Sequence, residues 1–111
     1  MGRTGYLGEL EQIVMLAVAR LEQEAYGMSI RREIEDRTGR SVATGAVYST
    51  LERLQDKGYV RAVAPPPAAD RDGRARRFFE LTRSGIDALD AASRMQTRMW
   101  SGLRLKKAGR P

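Results

Sequence analysis

Residues 44–60 read T-G-A-V-Y-S-T-L-E-R-L-Q-D-K-G-Y-V. Val47, Leu51 and Leu54 recur at helical spacing and make one apolar stripe. Gly58 stands where a helix would stop. The other side carries Gly45, Ser49, Glu52 and Arg53, with Tyr48 at its edge. That side is a short-armed, hydrogen-bonding surface rather than a coat of lysines and glutamates. It is built to be touched.

Upstream, Leu10, Ile13, Val14, Ala17, Val18 and Leu21 recur at helical spacing. Met15 and Leu16 widen that stripe, which predicts a first helix over 8–22, buried on more than one side. Glu9 and Glu11 suit the positive end of its dipole. Ile30 and Ile34 then mark a short second helix over 28–38, preceded by Gly27 and stopped by Gly39. S-V-A-T is a turn, and Thr44 is read as the N-cap of the third helix, which ends at Lys57 and Gly58.

Downstream the period changes from helical to alternating. Residues 59–64 and 76–81 read as two strands of a hairpin. Pro65, Pro66 and Pro67 end the first strand, and Gly73 turns the basic loop between them. The second strand alternates, with Arg77, Phe79 and Leu81 on one side and Arg76, Phe78 and Glu80 on the other. Thr82 is a good N-cap for a fourth helix of five or six turns. Ile86, Leu89, Trp100 and Leu103 lie along it, with Met95 and Met99 beside them.

The chain has 111 residues, enough for one modest core. It has no cysteine and no histidine. Disulfides, thiolate metal sites and histidine-activated nucleophiles are therefore excluded. No acidic pair joins a nucleophile, a phosphate loop or a metal-spaced cluster, so neither an enzyme nor a cofactor is expected. There is no apolar run of membrane-spanning length and no signal-peptide centre near Met1, which makes a cytoplasmic protein the expectation. The formal charge is +6. The excess is local: from Arg71 onward the only acids are Asp72, Glu80, Asp87 and Asp90. A basic edge of this kind suits a polyphosphate partner.

Three helices and a hairpin outline a winged helix-turn-helix, mainly α with a small β-hairpin. The third helix is then the one expected to enter a major groove of double-stranded DNA. Thr44, Gly45, Tyr48, Ser49 and Arg53 are its candidate contacts, and Arg71, Arg74, Arg76 and Arg77 are those of the wing. Against these stand plainer roles: Tyr48 as a half-buried edge aromatic, Arg53 paired with Glu52 or Asp56, the wing as a solvated loop. A different reading altogether is a winged-helix module that docks protein or RNA.

Four stretches taken together resemble the PadR family of bacterial transcriptional regulators. They are L-G-E-L-E-Q-I-V-M-L-A-V-A-R-L, A-Y-G-M-S-I-R-R-E-I, G-A-V-Y-S-T-L-E-R-L-Q-D-K-G-Y-V and G-R-A-R-R-F-F-E-L-T-R-S-G. The resemblance implies a dimeric DNA-binding winged helix, usually a repressor, with inverted-repeat operators. Family motifs often have proline where Ser49 stands and tyrosines where Phe78 and Phe79 stand, so those two cannot donate a hydroxyl to phosphate. With one helix after the wing, the chain is similar to the short subfamily, in which that helix pairs with its mate and with the first helix. The organisation expected is a DNA-binding unit over 1–81 and a dimerisation helix with a basic tail over 82–111. Ile86, Leu89, Met95, Met99, Trp100 and Leu103 are the dimerisation candidates. They would leave a monomer with too much exposed apolar surface. In some short members a flat aromatic or cationic ligand lodges at the dimer interface, a role the resemblance offers to Trp100; the plainer role for Trp100 is an interface anchor.

Overall fold

The computed structural model describes residues 6–66 and 76–105. Its elements are α1 (Glu9–Leu21), α2 (Gly27–Thr38), α3 (Thr44–Asp56), β1 (Val60–Val63), β2 (Phe78–Leu81) and α4 (Arg83–Trp100), with a single 3-10 turn, Glu22–Glu24, after α1. The order and type of the elements are as the residue pattern predicts. The differences lie at the ends.

The core forms where the stripes of the first three helices meet. Val14, Met15 and Val18 of α1, Ile30 and Ile34 of α2, and Val47, Leu51 and Leu54 of α3 are all buried. Gly39 ends α2 in the left-handed conformation (φ 76°), and its N–H donates to the Glu35 carbonyl at 2.8 Å. The turn to α3 is tied back by Arg31, whose Nε donates to the Val42 carbonyl at 3.0 Å.

β1 and β2 pair antiparallel, with Val60 opposite Leu81 and Val63 opposite Phe78. Alternation predicts one core-facing side for β2, yet Phe78 and Phe79 are both buried. Phe79 joins the helical core. Phe78 faces the other way and meets the Tyr26 ring, with centroids 5.2 Å apart. The segment between α1 and α2 makes this possible. It runs along the free edge of β2, forming a Tyr26–Phe78 bridge and a 2.9 Å bond from the Phe79 N–H to the Ala25 carbonyl. Glu22 starts that course at φ 53° and ψ −116°, a strained conformation for a residue with a side chain.

α4 is fixed at its first turn. The Thr82 hydroxyl caps it, accepting from the Gly85 N–H at 3.0 Å, and donates to the Gly58 carbonyl at 2.6 Å. The Thr82 N–H donates to the Tyr59 carbonyl at 3.0 Å. Gly85 is buried so tightly against that same carbonyl that a Cβ would collide with backbone. Past Leu89 the helix leaves the body of the protein: Met95, Met99 and Trp100 are all more than half exposed. Leu103, expected on the helix, lies beyond it. Gly102 turns the chain at φ 75°, and the Leu103 N–H closes on the Trp100 carbonyl. The architecture is a winged helix-turn-helix with a projecting last helix.

Gly85→Ala should lower stability by about 1–3 kcal/mol, because backbone rather than a movable side chain opposes the new methyl. Gly45→Ala, where a Cβ meets nothing within 4 Å, should leave stability unchanged or raise it by up to about 1 kcal/mol. Denaturant unfolding of both variants checks the pair; equal losses would contradict the packing described.

Candidate nucleic-acid interface

α3 divides cleanly into two faces. Val47, Thr50, Leu51 and Leu54 are buried, while Thr44, Gly45, Tyr48, Ser49, Glu52 and Arg53 are exposed. Five of these exposed residues are the sequence candidates on this helix, so the helix gathers them as its pattern implies. Thr44 does not cap it, however. Ala43 is the N-cap, extended at φ −65° and ψ 144°, and its carbonyl accepts from the N–H groups of Ala46 and Val47. The backbone enters the helix one residue before the hydroxyl that could have capped it. Thr44 is thus the first helical residue, at an end whose leading N–H groups have no partner within the helix.

Tyr48 is 43% exposed and leans toward α2. Its phenol end occupies the space a side chain would take at Gly27, so glycine there seats the ring. The Ser49 hydroxyl donates to the Ala46 carbonyl at 3.4 Å, a long bond to give up. A shallow depression of about 150 Å³ runs beside them, lined by Tyr48, Ser49, Leu51, Glu52, Gln55, Arg77 and Phe79. Arg77 enters it from the wing. Its Nη2 donates to Gln55 Oε1 at 3.3 Å, and its guanidinium lies 5.3 Å from the Phe79 ring centroid. Arg76 sits instead over the Tyr26 ring, 4.7 Å from its centroid. Arg71 and Arg74 lie outside the described residues.

Arg53 is oriented by a partner that its sequence neighbours do not suggest. Its Nε lies 3.6 Å from Glu11 Oε2 on α1, and its Nη2 donates to Thr50 Oγ1 at 3.3 Å. Neither Glu52 nor Asp56 holds it. Glu11 itself is buried and accepts from Lys57 Nζ at 2.9 Å on each oxygen and from the Gly8 N–H at 2.9 Å. The sequence does carry a signal for this: positions 11, 14, 15 and 18 fall on one helical stripe, and an acid within an apolar stripe demands a partner.

Burial pushes the Glu11 carboxyl up. The Lys57 hydrogen bond, the Gly8 N–H and the charges of Lys57 and Arg53 oppose this and hold it below the ordinary carboxylate value. A depressed native value stabilises the fold above the unfolded-state value, near pH 4–5 as a rough figure, and the contribution fades as pH falls through the native value. Glu11→Gln should therefore cost about 1–3 kcal/mol at pH 7. Its deficit against the parent should shrink steadily below about pH 4. Parallel unfolding curves across pH test this, and a deficit independent of pH would refute the ion-pair account.

Among the described residues no helix is long and apolar enough to cross a membrane, and no acidic group is arranged to hold a metal ion. The family model described as Transcriptional regulator PadR-like family matches residues 15–91. An uncharacterized protein X of Lysinibacillus sphaericus is 29% identical over 80 residues, spanning 70% of this chain and 69% of that protein. Solved structures are similar as well. The complex structure of hsRosR-S4 superposes with a TM-score of 0.68 at 23% identity, covering 92% of this chain and 82% of that one. The complex structure of hsRosR-SG gives 0.62 at 26% identity, covering 87% and 79%. The family match spans most of α1, the helix-turn-helix, the hairpin and the first half of α4, which includes every sequence-picked position on α3 and the wing. The chain belongs to the PadR-like family of transcriptional regulators.

Proposed function

We propose that the protein is a homodimeric, sequence-specific DNA-binding repressor that acts in the cytoplasm on an inverted-repeat operator. One observation carries this reading. α3 buries its whole apolar stripe and turns Thr44, Gly45, Tyr48 and Ser49 outward, beside an arginine delivered by the wing. Small residues and hydroxyls at the leading half of such a helix fit the floor of a major groove, and its first N–H groups fit a phosphate. Arg53 would reach a guanine edge, and the wing arginines Arg71, Arg74, Arg76 and Arg77 would add charge along the backbone.

Residues 1–81 would then read DNA, and residues 82–111 would join two copies. Support for the second role is the apolar surface α4 leaves open at Ile86, Met95, Met99 and Trp100, with Leu103 just past its end and Leu89 half-buried at its root. Pairing two such helices covers that surface and sets two copies of α3 about one DNA turn apart, roughly 34 Å. Trp100, 53% exposed at the end of α4, would then stack on a flat aromatic or cationic effector held between the copies. An effector that favours another spacing of the two α3 helices would release the operator.

Selection from random duplexes is the direct test. The expected product is an inverted repeat, and Arg53→Ala should weaken its binding by about tenfold and relax one half-site position. Arg76→Ala with Arg77→Ala should weaken all sequences alike and flatten the slope of log affinity against log salt by roughly 0.9 for each phosphate no longer neutralised. No enrichment at low salt, or salt-insensitive binding to a protein instead, would defeat the proposal. Planar dyes should quench Trp100 emission, and the rise in dye anisotropy on adding the protein should be lost in Trp100→Ala. Unchanged emission across a broad panel would remove the effector from the reading.

A further inference from the structure

We propose that Glu11, on α1, is a positioning residue for DNA reading: its buried carboxylate holds one edge of the Arg53 guanidinium so that the other edge meets the duplex already oriented. The inference rests on the reading of α3 given above and extends it to a residue that never touches DNA.

The geometry is a chain of fixed groups. Glu11 is pinned first. Both its oxygens accept from Lys57 Nζ, Oε1 also accepts from the Gly8 N–H, and Lys57 Nζ donates in addition to the Tyr6 carbonyl at 3.0 Å. The carboxylate therefore has little freedom to follow a mobile partner. Arg53 Nε faces Oε2, and Arg53 Nη2 is held by the hydroxyl of Thr50, a side chain with no exposure. The protein thus engages the Nε–Nη2 edge of the fork. A guanidinium carries five N–H donors in a rigid plane, and with the Arg53 side chain half-exposed the remaining donors stay open to a partner outside.

Charge points the same way. Lys57 lies closer to the carboxylate than Arg53 does, 2.9 Å against 3.6 Å, and is far less exposed. Lys57 neutralises Glu11, and the positive charge of Arg53 is left over for a phosphate or a guanine edge. Glu11 acts on Arg53 chiefly by orientation. An arginine ordered before the encounter loses less freedom on binding than one that must be caught from solution.

The test is a double-mutant cycle on the selected operator, read by fluorescence anisotropy well below the melting temperature of each variant. The set is the parent, Glu11→Gln, Arg53→Ala, the double variant, and Ile34→Ala as a destabilising core change on α2. Glu11→Gln should weaken operator binding about fivefold in the parent and by less than about twofold when Arg53 is already alanine, the non-additivity of groups in direct contact. It should also relax the same half-site position that Arg53→Ala relaxes, whereas Ile34→Ala should leave that preference intact. Equal losses in both backgrounds, or a loss with no change of base preference, would overturn the positioning role while leaving the operator assignment standing. Operator binding unaffected by Arg53→Ala would end the inference at its root. Failure to select any operator would remove the reading beneath it.

Discussion

The packing of α1 under the other elements is the constraint on which the rest depends. Val14, Met15 and Val18 occupy a small volume that α2, α3 and β2 must share. A close-packed interior tolerates few arrangements of three helices and a hairpin. Once Leu51 and Leu54 are buried against α1, the opposite side of α3 has to face outward. The candidate interface is thus a by-product of core formation. It is also why small and hydroxylated residues can sit there: α3 draws its stability from packing and not from its own exposed residues.

Much of this is legible in the chain. Helical spacing locates all four helices, because each carries an apolar stripe, and the loss of that spacing after Gly58 locates the wing. What stays hidden depends on contacts between distant residues. Phe78 and Phe79 are adjacent, and alternation puts only one of them inside. Nothing local says that the residues around Tyr26 will cover the other side of β2. The ends of helices are hidden for a different reason. Thr44 has the right chemistry for a cap, but the backbone at Ala43 decides where the helix begins. Gly102 is a good stop signal, yet the apolar spacing runs past it to Leu103 and masks it.

The candidate interface shows the same division. Its membership on α3 follows from one helix's periodicity and needs no tertiary information. The partners of its charged groups do need it. Arg53 has acids beside it in sequence at Glu52 and Asp56, yet it is held by Glu11, forty-two positions away in the chain and next door in space. Arg77 reads as one of several equivalent wing cations. The hairpin register instead brings it against Gln55, so it belongs to the surface of α3 as much as to the wing. Gly27 makes a related point. It reads as a helix breaker, but its missing side chain is the seat of the Tyr48 phenol.

The joint at Gly85 has a mechanical meaning. Because Gly85 rests directly on the Tyr59 carbonyl, three residues past the end of α3, the root of α4 is pinned to the segment that leaves that helix. α4 has 18 residues, a rod about 27 Å long. Pivoted at its root, a tilt of about 5° carries its tip about 2 Å. In reverse, a displacement of that size at Trp100 turns the root of α4 by only those few degrees. The glycine makes α4 a long arm on a close-set joint.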